Sequence, residues 1–236
     1  MKNKKRILLK LTGRVLSSTG GQQCLGSQFI EQLAAQIKEL SETHLFGIVV
    51  GGGNILRGSE QGAELGLSPS VGHQAGMLAT MINGLMLKDL FNSHGLTSTL
   101  LSSVFCPQMC DTTSQFNIDH ALKHENIIIF AGGTGAPFFT TDTNAIIRAL
   151  QIKATEVWKG TGVDGVYSQD PRKDKNAKRI KKITYTDAII QKLGIMDTAS
   201  LTLAQEHGIT IRVFNIFEKN ALNKANKNQD FGSLIY

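Results

Sequence analysis

The chain has 236 residues, of which 41% are hydrophobic and 19% are charged. These fractions are typical of a soluble globular protein, and no apolar run approaches the roughly 20 residues that a membrane-spanning helix needs. The formal net charge is +6, but residues 172–182 (RKDKNAKRIKK) carry all of it. Nucleic-acid binders usually spread basic residues over a face. We therefore interpret residues 172–182 as a solvated loop, with contact to a polyanion as the alternative, and expect no membrane or nucleic-acid partner.

The N-terminal sequence does not indicate secretion. Its basic residues are followed by a short apolar run at residues 7–9, which Lys10 interrupts. A secretion signal needs a longer apolar segment and a small-residue cleavage site. We therefore expect a cytoplasmic protein.

Two residue pairs have the spacing of metal ligands but lack further ligands. Cys106 and Cys110 have no second cysteine pair, and His120 and His124, one helical turn apart, have no third ligand in view. The three cysteines are also too few for a disulfide framework. We expect no metal site built from these residues.

Predicted strands and helices alternate along the chain. Apolar runs predict strands at residues 6–11, 45–50, 96–102, 127–130, 156–159 and 209–214. Apolar residues at helical spacing predict helices at residues 29–40, 74–91, 116–121, 144–152, 187–193 and 199–207. This alternation predicts an α/β fold, a three-layer sandwich with a mainly parallel central sheet and helices on both faces. We expect a single domain over residues 1–236.

Hydroxyl and glycine residues predict where some elements begin or turn. Thr112 or Thr113 is expected to cap the helix at residues 116–121, and Thr186 the helix at residues 187–193. Asp164-Gly165 predicts a tight hairpin turn, in which these residues adopt positive φ values.

The strongest chemical signal lies at residues 127–143, IIIFAGGTGAPFFTTDT. A β-branched strand runs into Gly132, Gly133 and Gly135, and threonines and Asp142 follow. Small residues let backbone N–H groups approach an anion, and a helix start adds partial positive charge. We interpret this stretch as a binding site for a phosphate-bearing substrate. A strand, turn and capped helix without a ligand would have the same pattern.

Two other strand ends carry residues suited to phosphate. Lys10 lies at the carboxyl end of the first strand, where open α/β sheets bind ligands, although an edge-strand charge is the alternative. A glycine triplet ends the second strand, and Arg57 follows with a fork of N–H groups for phosphate or a surface carboxylate. The chain contains neither G-x-G-x-x-G at this triplet nor a Walker loop.

Six ordered motifs extend over almost the whole chain. They are KRILLKLTG, GGGNILRG, GTGAPFFTTD, VDGVYSQDP, IMDTASLTLA and IRVFN, at residues 5–13, 51–58, 133–142, 163–171, 195–204 and 211–215. Together they resemble the bacterial-type UMP kinases, or uridylate kinases, of the amino acid kinase family. The resemblance implies transfer of the ATP γ-phosphoryl group to UMP with Mg²⁺, in pyrimidine nucleotide biosynthesis. It also implies a homo-oligomer, expected to be a hexamer.

The resemblance also implies a role for individual residues. The N-terminal part would mainly face UMP, and residues from about 150 to 236 would mainly face ATP. Catalytic roles are implied for Lys10, Asp142 and Asp197. ATP contacts are implied for Lys10, Leu11, Thr12, Gly13, Gly53, Arg57, Thr161, Tyr167 and Asp170. UMP contacts are implied for Gly52, His73, Thr134, Gly135, Ala136, Pro137, Phe138, Phe139, Thr140 and Thr141.

This chemistry agrees with the residues present. A phosphate acceptor is already an anion at neutral pH, so the main obstacle is repulsion among phosphates rather than the lack of a general base. Lysine and arginine side chains and the backbone N–H groups of glycine loops reduce this repulsion. Asp142 and Asp197 are therefore interpreted as holding lysine or magnesium, not as proton acceptors.

Several positions depart from the UMP kinase pattern. His73 replaces an acid that accepts hydrogen bonds from the UMP ribose, Gly162 stands where many relatives have lysine, and Arg14 replaces the usual acid after Thr12-Gly13. Residues 19–26 also fit poorly to the segment linked with GTP activation, so the resemblance leaves allosteric control by GTP open.

Two other functions remain open at this point. A carbamate or amino-acid kinase is the alternative within the family, disfavoured because residues 138–142 match the UMP-type loop. A weakly active nucleotide-sensing regulator is the alternative from another class. The losses at positions 73 and 162 favour the regulator, whereas the presence of Lys10, Asp142 and Asp197 opposes it.

We expect His73→Asp to lower the KM for UMP. A neutral imidazole offers one acceptor, whereas a carboxylate offers two oxygens to the ribose hydroxyls. Steady-state kinetics with UMP varied at saturating ATP measures the effect. An unchanged or raised KM would argue against this role for position 73.

Overall fold

The computed structural model describes residues 4–17, 26–58, 61–169, 171, 173–174 and 176–236. The strands in these ranges are β1 (Lys5–Leu11), β2 (His44–Val50), β3 (Ser98–Ser102), β4 (Asp111–Thr112), β5 (Ile127–Ala131), β6 (Glu156–Thr161), β7 (Val166–Tyr167), β8 (Arg179–Ile180), β9 (Lys182–Ile183), β10 (Thr210–Asn215) and β11 (Ser233–Ile235). The α-helices are α1 (Gly26–Leu40), α2 (Gln61–Glu64), α3 (Pro69–Ser93), α4 (Gln115–Lys123), α5 (Thr141–Gln151), α6 (Tyr185–Ile190), α7 (Thr198–Glu206) and α8 (Ala221–Lys227). A 3₁₀ helix, Gly13–Leu16, follows β1. Over the described ranges, no helix is both long and apolar enough to cross a bilayer.

Nine strands form one sheet in the order β4-β3-β5-β2-β1-β6-β10-β11-β9. All neighbouring strands are parallel except β10 and β11, which are antiparallel. The short strands β7 and β8 form a separate antiparallel pair. The predicted mainly parallel sheet is confirmed.

Apolar side chains leave the sheet on both faces. In β1, Ile7 and Leu9 enter one buried cluster, while Leu8 enters the other, because successive side chains of a strand alternate in direction. The first cluster packs against α1, α3 and α8, and the second against α4, α5, α6 and α7. Helices therefore cover both faces, and the predicted three-layer α/β sandwich is confirmed.

Two predicted helix caps are wrong. Thr112 pairs with β3 as part of β4, and Ser114 caps α4 by accepting a hydrogen bond from the Asn117 N–H at 3.2 Å. Thr184, rather than Thr186, caps α6 and accepts from the Asp187 N–H at 3.1 Å. Neighbouring hydroxyl residues are equivalent as caps in the sequence, and strand pairing decided which one precedes the helix.

The Asp164-Gly165 turn is also different from its prediction. The strands on either side do not pair with each other: β6 pairs with β1 and β10, and β7 pairs with β8. Gly165 does not have a positive φ. Its Cβ would instead lie 2.4 Å from the Ser233 Oγ, so close packing explains the glycine.

The start of α3 packs directly on the backbone of the loop after β2. A Cβ on Gly72 would lie 2.3 Å from the carbonyl oxygen of Gly58. A Cβ on Gly76, one turn later, would have its nearest neighbour 3.9 Å away. Only Gly72 is therefore required by close contact in this part of the helix.

We expect Gly72→Ala to lower the free energy of unfolding by about 1–3 kcal/mol, because overpacking outweighs the gain in helix propensity. Gly76→Ala in the same helix has room for the methyl group and is expected to gain up to about 1 kcal/mol. Urea unfolding of both variants measures the difference. Equal effects of the two substitutions would contradict this account of the packing.

Candidate active site

The three loops predicted to bind phosphate follow β1, β2 and β5, which are neighbours in the sheet order β5-β2-β1-β6. Since these strands are parallel, their carboxyl ends meet at one edge. Lys10 near the end of β1 pairs in register with Lys159 of β6. The fold therefore brings the predicted loops together and adds a second lysine.

Asp142 lies between these two lysines. The Lys10 Nζ is 2.9 Å from Asp142 Oδ1 in an ion pair that lacks hydrogen-bond alignment. The Lys159 Nζ donates to Asp142 Oδ2 at 2.8 Å and also to the carbonyl oxygen of Ile195. The three side chains are only 11–16% exposed, so solvent screens their interaction weakly.

Burial and charge act in opposite directions on Asp142. Burial favours its neutral acid, but the ammonium groups of Lys10 and Lys159 outweigh burial and lower the pKa of Asp142 to about 2. Asp142 is therefore ionised at neutral pH and does not serve as a proton acceptor there.

Burial also determines the behaviour of Lys159. It disfavours the ammonium form and lowers the pKa of Lys159 to about 8, with the carboxylate of Asp142 opposing and the charge of Lys10 reinforcing the shift. At neutral pH, two lysines and one carboxylate leave an excess of positive charge in this cluster. Such an excess suits an anionic ligand.

Asp197 holds the starts of two helices together. As the N-cap of α7 it accepts from the Ser200 N–H at 2.9 Å, and the Thr143 hydroxyl donates to it at 2.9 Å. The hydroxyl of Thr140, which caps α5, also donates to Asp197. Asp142 lies in the first turn of α5. The structure thus gives Asp197 a positioning contact to the helix that carries Asp142. Among the described residues Asp197 forms no ion pair with a lysine, although its charge favours the ammonium form of Lys159.

Sequence reasoning missed Lys159. The signal was present, because Lys159 ends a predicted strand just as Lys10 lies near the end of another, and the same edge of an open sheet binds ligands. What the sequence did not contain was the neighbour relation between the strands. The register between β1 and β6 makes the two lysines partners of one carboxylate.

The glycine loop after β2 is held by two asparagines. The fully buried Asn83 donates to the Gly51 carbonyl oxygen at 2.7 Å and to Asn54 Oδ1 at 2.7 Å. A Cβ on Gly13 would lie 2.5 Å from the same carbonyl, and a Cβ on Gly52 would lie 2.9 Å from the Gly76 carbonyl. The loops therefore pack backbone to backbone, which side chains would prevent.

The loop after β5 has a conformation that glycine adopts readily. Gly132, Gly133 and Gly135 have φ values of +71°, +58° and +84°. The Gly132 N–H donates to Thr80 Oγ1 at 2.9 Å, which ties the loop to α3. The predicted strand and glycine turn are present, and the helix after them begins at Thr141, three residues before its predicted start.

Arg148 of α5 holds this loop by hydrogen bonds, and the sequence reasoning did not predict its role. Its Nη2 donates to the Ser103 hydroxyl at 2.6 Å and to the Gly133 carbonyl oxygen at 3.2 Å. Burial lowers the pKa of Arg148 to about 10, and the guanidinium remains charged at neutral pH. Its position in the middle of an amphipathic helix carries no signal of this contact in the sequence.

Aromatic residues project from the end of the same loop. Phe138 and Phe139 are exposed, and Phe138 has a φ of +73°, which is uncommon for a residue with a side chain. The His73 ring on α3 lies 5.0 Å from the Phe138 ring. The Thr134 hydroxyl accepts from the Ala136 N–H at 3.1 Å. His73 and the loop at residues 134–141 thus border the same side of the site.

A cavity of about 720 Å³ lies on the other side of the cluster, beside β1 and β6. Among the described residues that line it, four are basic and none is acidic. Apolar side chains occupy another part of the wall, as a nucleobase would require. The basic residues are Arg14, Arg57, Lys159 and Lys192, and the apolar ones include Val163, Val166, Leu193, Ile195 and Val213.

The predicted ATP residues divide into three groups. Thr12, Arg57, Thr161 and Tyr167 line the cavity, and the Tyr167 hydroxyl donates to Asp164 Oδ1 at 2.6 Å. The adjoining strand end and loops contain Lys10, Leu11, Gly13 and Gly53. The side chain of Leu11 is fully buried, so only the backbone of this residue is able to face a ligand. Asp170 and residues 19–25 lie outside the described residues.

The model of the amino acid kinase family matches residues 5–215. The chain belongs to the amino acid kinase family.

Several members of the amino acid kinase family are similar to the chain over almost its whole length. The uridylate kinase of Mycoplasma pneumoniae is 44% identical, with 98% of both chains covered. The uridylate kinase of Yersinia pestis strain Pestoides F is 40% identical, with 98% of this chain and 95% of that protein covered. The crystal structure of UMP kinase from Ureaplasma parvum superposes with a TM-score of 0.91 at 36% identity, covering 99% of both chains.

We expect the Lys159 side chain to titrate near pH 8 in the protein without bound ligands. Its folded pKa lies below the roughly 10.4 of an unfolded lysine, so between these values the unfolded chain binds more protons and stability rises with pH. Side-chain NMR of labelled lysine measures the pKa, with Lys159→Arg to assign the signal.

Asp142→Asn is the control for this titration. Removing the carboxylate takes away the attraction that favours the ammonium form, so the pKa of Lys159 should fall further. A Lys159 that titrates above pH 10, or one that is unaffected by Asp142→Asn, would contradict the electrostatic account of the cluster.

Proposed function

We propose that this protein transfers the γ-phosphoryl group of ATP to UMP, giving UDP and ADP in pyrimidine nucleotide biosynthesis. The observation that carries the proposal is the position of the cluster of Lys10, Asp142 and Lys159, between a glycine loop and a basic cavity. Relatives named uridylate kinase at 44% and 40% identity support the same substrates. A carbamate or amino-acid acceptor is not favoured by these comparisons.

ATP is proposed to occupy the cavity beside β6. Its four basic side chains suit a triphosphate, and its apolar wall suits an adenine ring. Thr161, Tyr167 and Asp170 are proposed to hold adenosine, while Lys10, Leu11, Thr12, Gly13, Gly53 and Arg57 meet the phosphates. Most of this wall comes from residues after about 150, in keeping with a single domain whose C-terminal part faces ATP.

UMP is proposed to bind on the opposite side, against Gly52, His73 and residues 134–141. Glycines with positive φ let the loop backbone approach a phosphate without side chains in the way, and the start of α5 adds partial positive charge for the acceptor phosphate. The exposed rings of Phe138 and Phe139 offer surfaces for packing against the nucleoside. Asp142, in the first turn of α5, is thereby close to both substrates.

The chemistry of the step is mainly electrostatic. The acceptor oxygen belongs to a phosphate that is already ionised, so no side chain needs to remove a proton. Lys10 and Lys159 reduce the repulsion between acceptor and donor phosphates, and Asp142 holds both ammonium groups in fixed positions. Asp197 fixes the helix start that carries Asp142.

We propose that Mg²⁺ enters with ATP and neutralises charge on its phosphates. Across the described residues, no group of three or more His, Cys, Asp or Glu side chains is arranged to hold a metal ion. The Asp142 carboxylate already faces two ammonium groups. Mg²⁺ commonly binds through substrate phosphates and water, with few protein ligands, and this donor set fits that mode.

We propose a cytoplasmic homo-oligomer, with a hexamer expected from the family resemblance. The helix α3 exposes a stripe of four apolar side chains, each 42–52% accessible. Side chains at such helical spacing lie on one face, and pairing with the same face of a second copy would cover them. The four residues are Leu78, Ile82, Leu85 and Met86.

We expect Ile82→Asp to lower the mass of the particle in solution, because it places a charge in the centre of this stripe. Light scattering coupled to size exclusion measures the mass. Ile190→Asp, at an exposed apolar residue on α6, is the matched control and should leave the mass unchanged. A wild-type monomer, or equal effects of both variants, would contradict the proposed interface.

The function is tested by ADP release in a coupled assay with UMP, CMP, dUMP and carbamate offered separately as acceptors. Turnover with UMP well above the others is the expected result. Turnover with carbamate alone would replace UMP kinase by the alternative within the family. No turnover with any acceptor would favour a nucleotide-sensing regulator.

In the same assay, we expect Lys10→Ala to reduce kcat by about 10²-fold, because it removes a charge that faces the transferring group. Lys38→Ala, at an exposed lysine of α1, controls for the loss of a positive charge elsewhere. A Lys10→Ala enzyme with near-normal kcat would overturn the role of Lys10.

A further inference from the structure

Arg14 is a basic residue of the cavity for which the fold has no evident structural use. It belongs to the 3₁₀ helix after β1, and its side chain is exposed. Among the described residues, no carboxylate forms an ion pair with its guanidinium. By contrast, Lys159 in the same wall is already bound to Asp142. Arg14 therefore has donors available for a ligand.

Gly162 lies opposite Arg14 in the cavity wall. Its φ is not positive, so the backbone does not require glycine. A Cβ built on Gly162 would have one neighbour within 4 Å, the Arg14 Nη1 at 3.7 Å. Backbone packing therefore does not explain the missing side chain. The space over Gly162 is the space that the guanidinium of Arg14 uses.

We propose that Arg14 binds the phosphates of ATP, reaching into the cavity across Gly162. The inference rests on the proposed function, since it takes the cavity as the ATP side. A guanidinium donates a planar fork of N–H groups that matches phosphate oxygens. Gly162 permits this approach because any longer side chain there would compete with the guanidinium for the same space.

The first test compares Arg14→Glu and Arg14→Lys with the wild-type protein. Arg14 is exposed and its side chain takes no part in the described core, so both variants should fold. We expect Arg14→Glu to raise the KM for ATP about tenfold or more, since a charged hydrogen bond is replaced by repulsion. The KM for UMP should stay unchanged, and Arg14→Lys should recover part of the affinity. Lys123→Glu, an equal charge change on α4, should change neither KM.

A binding series identifies the part of the nucleotide that Arg14 meets. Calorimetric titration with ATP, ADP, AMP and adenosine compares the wild-type protein with Arg14→Glu. The loss of affinity should shrink as phosphates are removed and be absent for adenosine. An equal loss for adenosine would show that Arg14 supports the cavity rather than the phosphates, and would overturn the inference.

The pairing with Gly162 is tested by a double-mutant cycle. Gly162→Lys alone should weaken ATP binding, because its ammonium group would meet the Arg14 guanidinium. In the Arg14→Glu background, the same substitution should strengthen ATP binding, because the lysine restores the charge. Effects of Gly162→Lys that are equal in both backgrounds would refute the pairing.

These measurements separate the inference from the proposed function. If the wild-type protein shows no turnover with UMP, the proposed function fails, and the calorimetric series still tests Arg14 against the triphosphate. If the wild-type protein is active and Arg14→Glu leaves the KM for ATP unchanged, the role of Arg14 fails alone. A similar rise with Lys123→Glu would indicate a general charge effect and would also overturn it.

Discussion

The ionised carboxylate of Asp142 between Lys10 and Lys159 is the interaction on which the site depends. Parallel pairing of β1 and β6 puts Lys10 and Lys159 side by side at the sheet edge. There, burial and the repulsion between the two lysines disfavour the ammonium form of Lys159. The carboxylate of Asp142 opposes both effects in part, since the pKa of Lys159 stays lowered to about 8. Removing Asp142 would leave two buried ammonium groups without a compensating carboxylate, a loss that typically costs about 3–5 kcal/mol. The cluster therefore constrains the start of α5 against the two strands.

That constraint connects the two sides of the site. The hydroxyl cap of α5, Thr140, ends the loop after β5 and is bonded to Asp197 at the start of α7. The loop itself is held to α3 through Thr80 and to α5 through Arg148. The loop after β5 and the basic cavity are thus positioned by one set of polar contacts at the sheet edge. Such fixed positions suit a reaction in which geometry and charge supply most of the rate.

Close backbone packing serves the same end where side chains are absent. Gly13, Gly51 and Gly52 lie at the ends of β1 and β2, where the loops touch each other and α3. A glycine in the sequence signals that space is short or that φ is positive, but it does not distinguish these causes. At Gly132 the φ is positive, whereas at Gly165 a contact with Ser233 explains the residue. The hairpin predicted at Gly165 was wrong because β6 and β7 pair with other strands and not with each other. The close contact that explains the glycine comes from Ser233, which lies far along the chain.

Several features followed from the sequence by itself. Apolar periodicity predicted the alternating elements and the covered parallel sheet, because burial of an apolar face depends on local spacing. The order of strand, glycines and hydroxyls predicted the strand, the glycine turn and the helix that follows at residues 127–143, and Lys10 was singled out by its place at a strand end. Phosphate binding by these residues stays a prediction. These signals lie within a few residues of each other.

The tertiary structure decided the features that depend on strand neighbours and register. Lys159 joins Lys10 only because β6 lies beside β1, and Asn83 and Arg148 reach their loops across the fold. The choice of Ser114 as a helix cap followed from the pairing of Thr112 in β4. Arg14 and Gly162 are 148 positions apart, and only the fold makes the guanidinium of one fill the space over the other. Contacts of this kind have no local pattern, because their energy depends on residues that the chain brings together only after folding.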